Sequence, residues 1–471
     1  MKRKILFRAD AGQSVGYGHF IRTLALADML KDDFDCVFYT QEPTEYQMRE
    51  LEKVCRYVAL PADDSKFQLF LDALKGDEIV VLDNYFYNTD YQQRIKSKGC
   101  KLVCIDDMHD KYYVADAVVN HGFAKECDFS KEFYTKLCLG PQYALLRAPF
   151  LNGAEVKERN FKWMVCFGGS DENDFTGKSI EQLLVKESPK EIVAVVGDAY
   201  RYREELERKG VTVCSRLSAS QMSDLLRSAS NVVCSASSVC YESMACGCKV
   251  FAGYYVDNQR DFYENLLKRQ SIIPLGNLNE NSFDRLFTVL NEELKPLSIG
   301  NVRLNYRTLF YSLVFRMVSY PEMTDEESDA VWRLRNLPEI RQVMTNPNPF
   351  SLESHRNFVE RLKNEQNKLF LAFFDGKDFV GSFDFVEIGI DSSAERGLFL
   401  NPIYQGKGLA QVLEKLAEEE AKRYGVRYLV AKVKSENRSS IRFHRMAGYT
   451  EVNKNDEYIY FKRNIVENGD N

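Results

Sequence analysis

This chain of 471 residues lacks the features that mark several large classes of protein. Its formal net charge is −6, and no basic stripe interleaved with aromatic residues occurs, which argues against a nucleic-acid-binding protein. No apolar run approaches the ~18–20 residues that a membrane span requires. Proline is scarce, with 12 residues, and low-complexity tracts are absent, so we expect the chain to be folded.

Signals of export and of metal binding are equally weak. The N-terminal segment is basic and then apolar, but its apolar stretch is short and ends at Asp10, so we interpret it as a first strand and not as a signal peptide. Twelve cysteines are scattered along the chain, and the only close pair, Cys246 and Cys248, has no partner at ligand spacing. We therefore expect no metal site, and a cytoplasmic protein with buried, reduced thiols.

The length and the residue pattern predict more than one folded unit. Hydrophobic residues make up 45% of the chain, and its length is sufficient for three globular units. Short apolar segments alternate with amphipathic ones, and the pattern restarts after Phe150. Two such series predict two parallel sheets of the α/β class, each wound by right-handed crossovers. The predicted strands are 4–9, 36–39, 79–83, 102–105 and 117–120, then 163–167, 192–196, 211–214, 232–235 and 250–252.

A glycine-containing loop follows the first predicted strand. It holds Gly16 and Gly18, and His19 stands at the start of the next predicted helix. The positive end of a helix dipole favours a neutral imidazole, which can accept a proton from water. Ligands of open parallel sheets bind at the carboxyl ends of the strands, so we interpret His19 as a candidate base in a cleft. The alternative is that His19 only caps its own helix.

Polar loops also follow the strands of the second series. Ser237 and Ser238 open a helix, where hydroxyl groups and N-terminal amides can bind phosphate. The alternative for both serines is ordinary helix capping. Glu242, one turn inside that helix, could bind both hydroxyl groups of a ribose. The remaining candidates in these loops are Gly168, Gly169, Ser170, Asn258 and Gln259.

The C-terminal third carries the most informative pattern. A strand-like segment ending near Leu400 precedes a loop with two glycines, and a helical pattern begins at Leu409. Such a loop directs backbone N–H groups at an anion, and its glycines let a diphosphate approach the backbone closely. A second strand at 428–433, then Asn437 and a helix, follow. The predicted diphosphate loop consists of Gln405, Gly406, Lys407, Gly408, Leu409 and Ala410.

This order of parts resembles the GNAT family of N-acetyltransferases, whose Gln/Arg-x-x-Gly-x-Gly/Ala loop holds the CoA pyrophosphate. The resemblance covers 313–465 and implies an α+β domain that uses acetyl-CoA as cosubstrate, with Leu400 and Asn437 at the cofactor. Families of this type commonly place a tyrosine, as general acid, seven residues after the motif asparagine, where this chain has His444. An imidazolium there could reprotonate the thiolate, or His444 is a packing substitution. On the substrate side, the resemblance points to Arg335, Asn336, Met344 and His355.

The preceding part, over 3–300, resembles a GT-B fold, in which the C-terminal half holds UDP. More specifically, it is similar to the UDP-sugar hydrolases of pseudaminic acid biosynthesis. That family removes UDP from UDP-2,4-diacetamido-2,4,6-trideoxy-β-L-altropyranose without a metal. The preceding step of the pathway is acetylation of the 4-amino group of UDP-4-amino-4,6-dideoxy-2-acetamido-β-L-altrose by a GNAT enzyme. The matching segments are 8–10, 16–22, 83–85, 105–107, 140–147, 167–171, 241–242 and 258–259.

The two resemblances together imply a bifunctional enzyme with two UDP-sugar substrates. His19 would be the general base that activates water for attack at the anomeric carbon. The amides of Ser237, Ser238 and Val239 would neutralise the leaving diphosphate, and Glu242 would bind ribose. Further candidates are Asn258 and Gln259 for the sugar, and Asp10, Arg22, Asp83 and Tyr85 in the cleft. The alternative for Asp83 is that it only caps the turn that follows its strand.

The domains implied are 1–152 and 153–311 for the two halves of the hydrolase, and 312–471 for the acetyltransferase. A strand pattern at 313–318 and a helix start at Thr324 mark the beginning of the last one. Three alternatives remain open at this point. The GT-B-like part could be a glycosyltransferase, or it could bind a nucleotide sugar without hydrolysing it. The GNAT-like part could modify proteins or transfer an acyl group other than acetyl.

Overall fold

The computed structural model of the protein describes residues 2–466, apart from 12–16, 152–157, 169–170, 198–199, 281, 288–292, 296, 298 and 345. The chain divides into two compact units, Met1–Tyr306 and Arg307–Asn471. Among the described residues, no helix has both the length and the apolar character of a membrane span. All twelve cysteines are free thiols, and Cys127 is exposed.

The first unit begins with a seven-stranded parallel sheet. Its elements in chain order are β1 (Lys4–Ala9), α1 (Gly18–Leu30), β2 (Asp35–Gln41), α2 (Glu45–Glu52), β3 (Arg56–Leu60), α3 (Ser65–Asp72), β4 (Ile79–Asp83), α4 (Thr89–Ser97), β5 (Lys101–Ile105), β6 (Tyr112–Tyr113), β7 (Ala117–Asn120), β8 (Ser130–Lys131), β9 (Lys136–Leu139) and α5 (Ala148–Leu151). The strand order is β3-β2-β1-β4-β5-β7-β9, while β6 pairs with β8 separately. The chain winds outward from β1 and restarts at β4 beside it, which makes the β1/β4 boundary the topological switch point.

A second, six-stranded parallel sheet completes this unit. Its elements are β10 (Phe161–Cys166), α6 (Phe175–Leu184), β11 (Ile192–Val195), α7 (Arg203–Arg208), β12 (Thr212–Cys214), α8 (Ala219–Arg227), β13 (Ala229–Ser235), α9 (Ser238–Ala245), β14 (Lys249–Tyr254), α10 (Asp257–Lys268) and β15 (Ile273–Asn277). The order β12-β11-β10-β13-β14-β15 puts its switch point between β10 and β13. The central strands of both sheets are buried along nearly their whole length, as expected for parallel sheets covered on both faces.

Helix α11 (Val302–Val314) carries the chain into the second unit, which is built on a seven-stranded sheet. Its elements are β16 (Arg316–Ser319), α12 (Asp325–Arg335), α13 (Pro338–Arg341), α14 (Leu352–Leu362), β17 (Leu369–Asp375), β18 (Asp378–Ile390), β19 (Ser393–Leu400), α15 (Leu409–Arg423), β20 (Tyr428–Lys434), α16 (Arg438–Met446), β21 (Thr450–Lys454) and β22 (Tyr458–Asn464). The order is β16-β17-β18-β19-β20-β22-β21. Neighbouring strands are antiparallel, except that β19 and β20 are parallel.

The predicted fold class is confirmed: two parallel α/β sheets precede a GNAT-like α+β unit. One predicted element is wrong, because 313–318 does not form a single strand; α11 continues to Val314 and β16 starts at Arg316. The domain boundary expected at residue 311 therefore falls inside a helix, and the compact units divide at Tyr306. The boundary expected at residues 152 and 153 lies outside the described residues and stays a prediction.

Candidate active sites

The first site lies at the switch point of the first sheet. Gly18 opens α1, so His19 stands in the first turn of the helix that follows β1, while Asp83 is the last residue of β4. The Nδ1 atom of His19 is 2.7 Å from Oδ1 of Asp83, and both side chains are buried. A carboxylate only accepts hydrogen bonds, so this contact assigns the proton to Nδ1. The Nη2 atom of Arg22 also lies 3.1 Å from Nδ1, but it donates to the closer Oδ1 of Asp83, 2.6 Å away. The Nε2 atom then carries the lone pair that a base needs.

Asp83 is held as a fixed anion. Arg22 donates from Nε to Oδ2 over 2.7 Å and from Nη2 to Oδ1 over 2.6 Å, and the hydroxyl of Thr23 donates to Oδ2 over 2.7 Å. Burial raises the pKa of Asp83, but Arg22 and His19 lower it more, so the pKa lies well below its usual range. The carboxylate therefore keeps its charge throughout the physiological pH range.

Arg22 extends this site to the next strand. Its Nη1 atom lies 2.6 Å from Oδ2 of Asp107, which follows β5. The hydroxyl of Tyr85 donates to the same carboxylate oxygen over 3.3 Å, and its ring packs edge-on against His19 at 4.6 Å between centroids. The structure thus brings His19, Arg22, Asp83 and Tyr85 together.

A second histidine, which is not among the residues that the sequence predicts for this site, lies at the same edge of the sheet. His121 follows β7 directly, and burial lowers its pKa, an effect that the charge of Asp107 opposes. Its Nδ1 atom is buried without a hydrogen-bond partner among the described residues. Its backbone carbonyl accepts the hydroxyl of Tyr241 over 2.6 Å. The sequence signal that could have found His121 is its position directly after a predicted strand.

The residues predicted to bind phosphate lie at the switch point of the second sheet. Helix α9 starts at Ser238, shortly after β13, and Ser237 precedes it in an extended conformation without a side-chain capping hydrogen bond. The capping alternative for Ser237 is therefore not observed. The first-turn amides of α9, to which Val239 belongs, have no partners within the helix. Gly168 lies just beyond the adjacent strand β10 with φ +92°, and a Cβ atom there would meet open space.

Glu242 makes an ion pair with a residue far away in the chain. Arg147 donates to its Oε1 atom from Nη2 over 2.8 Å and from Nε over 3.1 Å. Burial raises the pKa of Glu242, and Arg147 opposes this shift. This ion pair gives the glutamate a partner that the sequence did not reveal, while its role toward ribose stays a prediction.

The other predicted residues of this unit have local roles or lie outside the description. Asp10 is 1% exposed, and its carboxylate forms buried ion pairs with Arg8 and Lys66. The side-chain oxygen of Gln259 accepts the N–H of Tyr255 over 3.2 Å. Outside the described residues lie Gly16, Gly169, Ser170 and the side chain of Asn258.

The second unit contains a gap between two strands of its sheet. The parallel strands β19 and β20 pair only from Ser393 with Tyr428 to Glu395 with Val430. Beyond these pairs β19 bonds only to β18, and β20 only to β22, in the described sheet. The β19 backbone at 396–400 therefore presents N–H and C=O groups to an extended ligand. The amide-containing arm of CoA has the chemistry to bond such an edge.

The predicted diphosphate loop follows the end of β19. Gly406 and Gly408 have φ of +75° and +72°, a left-handed conformation that favours glycine. Gly408 directly precedes α15, whose first amides, including those of Leu409 and Ala410, lack helical partners. Arg307 donates to the carbonyl of Lys407 over 2.6 Å. The loop thus has the backbone conformation expected of an anion nest.

Two other residues of the predicted cofactor site anchor the backbone. The side-chain amide of Gln405 donates to the carbonyl of Leu400 over 3.4 Å. Asn437 precedes α16, and its side-chain oxygen accepts the N–H of Ser440 over 3.1 Å. Asn437 is therefore a helix cap, and its contact with the cofactor stays a prediction.

His444 does not fit the role of general acid. Its Nδ1–H donates to the carbonyl of Ser440 over 2.7 Å, and its Nε2 accepts a hydrogen bond from Nη2 of Arg396 over 2.8 Å. Burial, aided by Arg396, lowers the pKa of His444 to about 4. With this pKa the ring is neutral at pH 7, and its one proton, on Nδ1, is held by the carbonyl of Ser440 and is not available to a thiolate. The packing alternative agrees with its contacts, since the ring stacks on Phe461 at 5.3 Å.

Two of the predicted substrate-side residues contact each other. The guanidinium of Arg335, at the end of α12, lies 5.1 Å from the centre of the Phe399 ring and 2.7 Å from the sulfur of Met344. The side chain of Asn336 accepts the N–H of Phe350 over 3.1 Å. His355 is buried, and its Nε2 has no partner among the described residues. No group of three or more potential metal ligands lies together in the described part of the chain.

Comparison with known proteins agrees with this division. Residues 334–449 match the model of the acetyltransferase (GNAT) family. Over 149 residues, 31% of this chain and 92% of the relative, the protein is 26% identical to acetyltransferase PseH of Campylobacter jejuni. Over 279 residues, 56% of this chain and 97% of the relative, it is 25% identical to the UDP-2,4-diacetamido-2,4,6-trideoxy-β-L-altropyranose hydrolase of the same species.

One relative spans both parts. An uncharacterised protein of Methanocaldococcus jannaschii is 23% identical over 489 residues, which covers 97% of this chain and 99% of that protein. The protein thus joins a part similar to a nucleotide-sugar hydrolase to a GNAT-like acetyltransferase domain.

Proposed function

We propose that this protein catalyses two successive reactions on one nucleotide sugar. The second unit transfers the acetyl group of acetyl-CoA to the 4-amino group of the UDP-linked amino sugar. The first unit then hydrolyses the UDP-2,4-diacetamido sugar and releases UDP and 2,4-diacetamido-2,4,6-trideoxy-L-altrose.

One observation carries the proposal: the chain matches nearly the whole length of a hydrolase and of an acetyltransferase. The match covers 97% of the hydrolase and 92% of the acetyltransferase. The name of the hydrolase relative specifies a diacetamido sugar, and making the second acetamido group requires an N-acetyltransferase. The two activities of this chain then act one after the other, because the product of the transferase is the substrate of the hydrolase.

The hydrolytic step needs a base for water and a place for the departing diphosphate. His19 has an unprotonated Nε2 in the tautomer that Asp83 selects, which supports its role as base. The uncapped start of α9, together with the loop at Gly168, supplies amides that can stabilise the charge of the leaving UDP. Amides and helix dipoles can fulfil this task without a metal ion.

The acetyl-transfer step requires that the thioester and the acceptor amine be brought together. The gap between β19 and β20 suits the arm of CoA, and the loop around Gly406 and Gly408 suits its diphosphate. The region around Arg335 suits the acceptor, because a guanidinium can bind the phosphates of UDP. Acetylation precedes hydrolysis in this scheme, because the second unit binds the acceptor through its UDP group and hydrolysis removes that group.

The test is to supply the UDP-linked 4-amino sugar with and without acetyl-CoA and to follow free UDP and the acetylated intermediate. We expect UDP release only when acetyl-CoA is present, after a lag in which the diacetamido nucleotide accumulates. Rapid UDP release without acetyl-CoA contradicts the proposed order. Transfer of the sugar to an added acceptor, in place of water, supports the glycosyltransferase alternative and contradicts the hydrolase.

A further inference from the structure

The side chain of Asp384 lies close to the strand gap of the second unit. Asp384 lies in β18, directly opposite Gly397 of β19. A Cβ atom on Gly397 would lie 2.5 Å from Oδ1 of Asp384, so the glycine is what lets this carboxylate lie against the strand. Gly397 belongs to the stretch of β19 that has no partner on the β20 side in the described sheet. The Asp384 carboxylate therefore lies against a glycine that borders the gap.

Charged groups on two neighbouring elements act electrostatically on Asp384. Arg335 of α12 and Arg396 of β19 are the cations, Glu395 of β19 is a second carboxylate, and Tyr320 lies nearby. Burial raises the pKa of Asp384 to about 6, although both arginines oppose the shift. A carboxylate with this pKa is ionised at pH 7 and is more basic than an exposed aspartate, as a general base should be.

We propose that Asp384 is the general base of acetyl transfer, an inference that rests on the proposed function of the second unit. The acceptor amine arrives as an ammonium ion and must lose a proton before it can attack. Asp384 takes this proton, and the nitrogen lone pair forms a C–N bond with the thioester carbonyl carbon. The nitrogen is positively charged after this attack and gives its second proton to water as the C–S bond breaks, while the CoA thiolate leaves and takes a proton from water.

Two other groups near the gap are the competitors for this role. His444 is neutral, but both of its ring nitrogens are engaged, by Ser440 and Arg396. Glu395 is half-buried at the last β19–β20 pair before the gap opens, and burial raises its pKa as well. Glu395 is therefore the matched control, because it is a carboxylate of similar exposure on the adjacent strand.

The experiment compares Asp384→Asn with Glu395→Gln in the full chain. Thioester loss is followed with acetyl-CoA and the UDP-linked amino sugar, both saturating, from about pH 5 to about pH 9. We expect Asp384→Asn to lower kcat on the order of 10²–10⁴-fold and to remove the acidic limb of the profile. UDP release from a substrate that is already acetylated should stay at the wild-type rate. An acidic limb that survives in Asp384→Asn, or that disappears in Glu395→Gln, overturns the proposal.

A measurement without any acceptor separates this inference from the proposed function. Carbon-13 NMR of the protein labelled at aspartate carboxyl groups should show a resonance that titrates with a pKa of about 6 and is missing in Asp384→Asn. If no such resonance exists, Asp384 is not the base. If it exists but the wild-type protein leaves the amino sugar unacetylated, the proposed substrate is wrong and the assignment of Asp384 stands.

Discussion

The Nδ1 atom of His19 and the Oδ1 atom of Asp83 lie 2.7 Å apart, although the two residues are 64 positions apart in the chain. They meet because β1 and β4 are neighbours at the switch point of the first sheet. The contact fixes the tautomer of His19 and leaves Nε2 as its basic atom. Both residues can therefore be tested for the same reaction.

Replacement of the base should stop hydrolysis and leave binding intact. We expect His19→Ala to lower the rate of UDP release on the order of 10²–10⁴-fold, because water then has no group to take its proton. Calorimetry should show that the diacetamido UDP-sugar still binds. Hydrolysis near the wild-type rate would remove His19 from the mechanism.

Replacement of Asp83 by asparagine tests the tautomer. The side-chain amide can donate to Nδ1, which moves the imidazole proton to Nε2 and blocks its function as a base. We expect Asp83→Asn to lower kcat by at least about 10²-fold. Asp107→Asn is the matched control, since Asp107 pairs with Arg22 as well, whereas Asp83 is the carboxylate that accepts the Nδ1–H of His19. Equal losses in the two variants would show that the charge of Arg22, and not the tautomer, matters.

The diphosphate loop can be tested with two glycines in the same conformation. Gly408 and Gly425 precede and follow α15 with φ of +72° and +71°. Alanine at either position costs about 1 kcal/mol of backbone strain. At Gly408, within the diphosphate loop, the new methyl group would also lie 2.7 Å from the guanidinium of Arg307. At Gly425 it would meet open space. We expect Gly408→Ala to raise the KM for acetyl-CoA and Gly425→Ala to leave it unchanged; equal KM values would contradict the loop assignment.

Local pattern is sufficient to predict much of the fold. Buried apolar runs such as Lys4–Ala9 and Ile79–Asp83 are predicted with their observed bounds. The prediction around Val314 is wrong, because a short apolar run fits the end of a helix and the start of a strand equally well. A longer pattern bounded by a capping residue, such as the helix that starts after Thr324, is predicted correctly.

The chemistry of the sites depends on partners that are distant in sequence. The properties of His444 follow from Arg396, 48 positions away on a neighbouring element. The role proposed for Asp384 depends on Gly397, the glycine opposite it in the next strand. Neither of these contacts can be predicted from the spacing of residues along the chain. The positions of His19 and of the diphosphate loop directly after strand ends are local features, and they can therefore be predicted.

Buried His444 should make the second unit sensitive to acid. Its pKa is about 4 in the folded protein against an ordinary value of 6.5, so the unfolded chain binds the proton more readily. Stability from this group is therefore fully present above about pH 6.5 and is lost as the pH falls toward 4, by about 3 kcal/mol. His444→Gln, which keeps an acceptor for Arg396, should remove this part of the pH dependence in urea unfolding. An unchanged slope between the two pH values would contradict the neutral, buried assignment.

The last prediction is that the two catalytic units can be separated, provided that α11 stays whole. The compact units divide at Tyr306, inside this helix, so fragments 1–314 and 302–471 should each keep Val302–Val314 intact. We expect the first fragment to release UDP from the diacetamido sugar and the second to acetylate the amino sugar. A fragment that starts at residue 312 lacks Arg307 and its 2.6 Å hydrogen bond to Lys407, so it should bind acetyl-CoA more weakly.

Arg307→Ala in the full chain is the control for that fragment, because it removes the same hydrogen bond without a cut. Loss of one charge-assisted bond that orders the loop should cost about 1.5–3 kcal/mol, or roughly 10–150-fold in the Kd for acetyl-CoA. If the substitution leaves the Kd unchanged while the shorter fragment fails to bind, the helix acts through folding and not through the loop. If fragment 1–314 is insoluble or inactive, the first unit does not fold without the second, and the proposed independence of the two reactions is wrong.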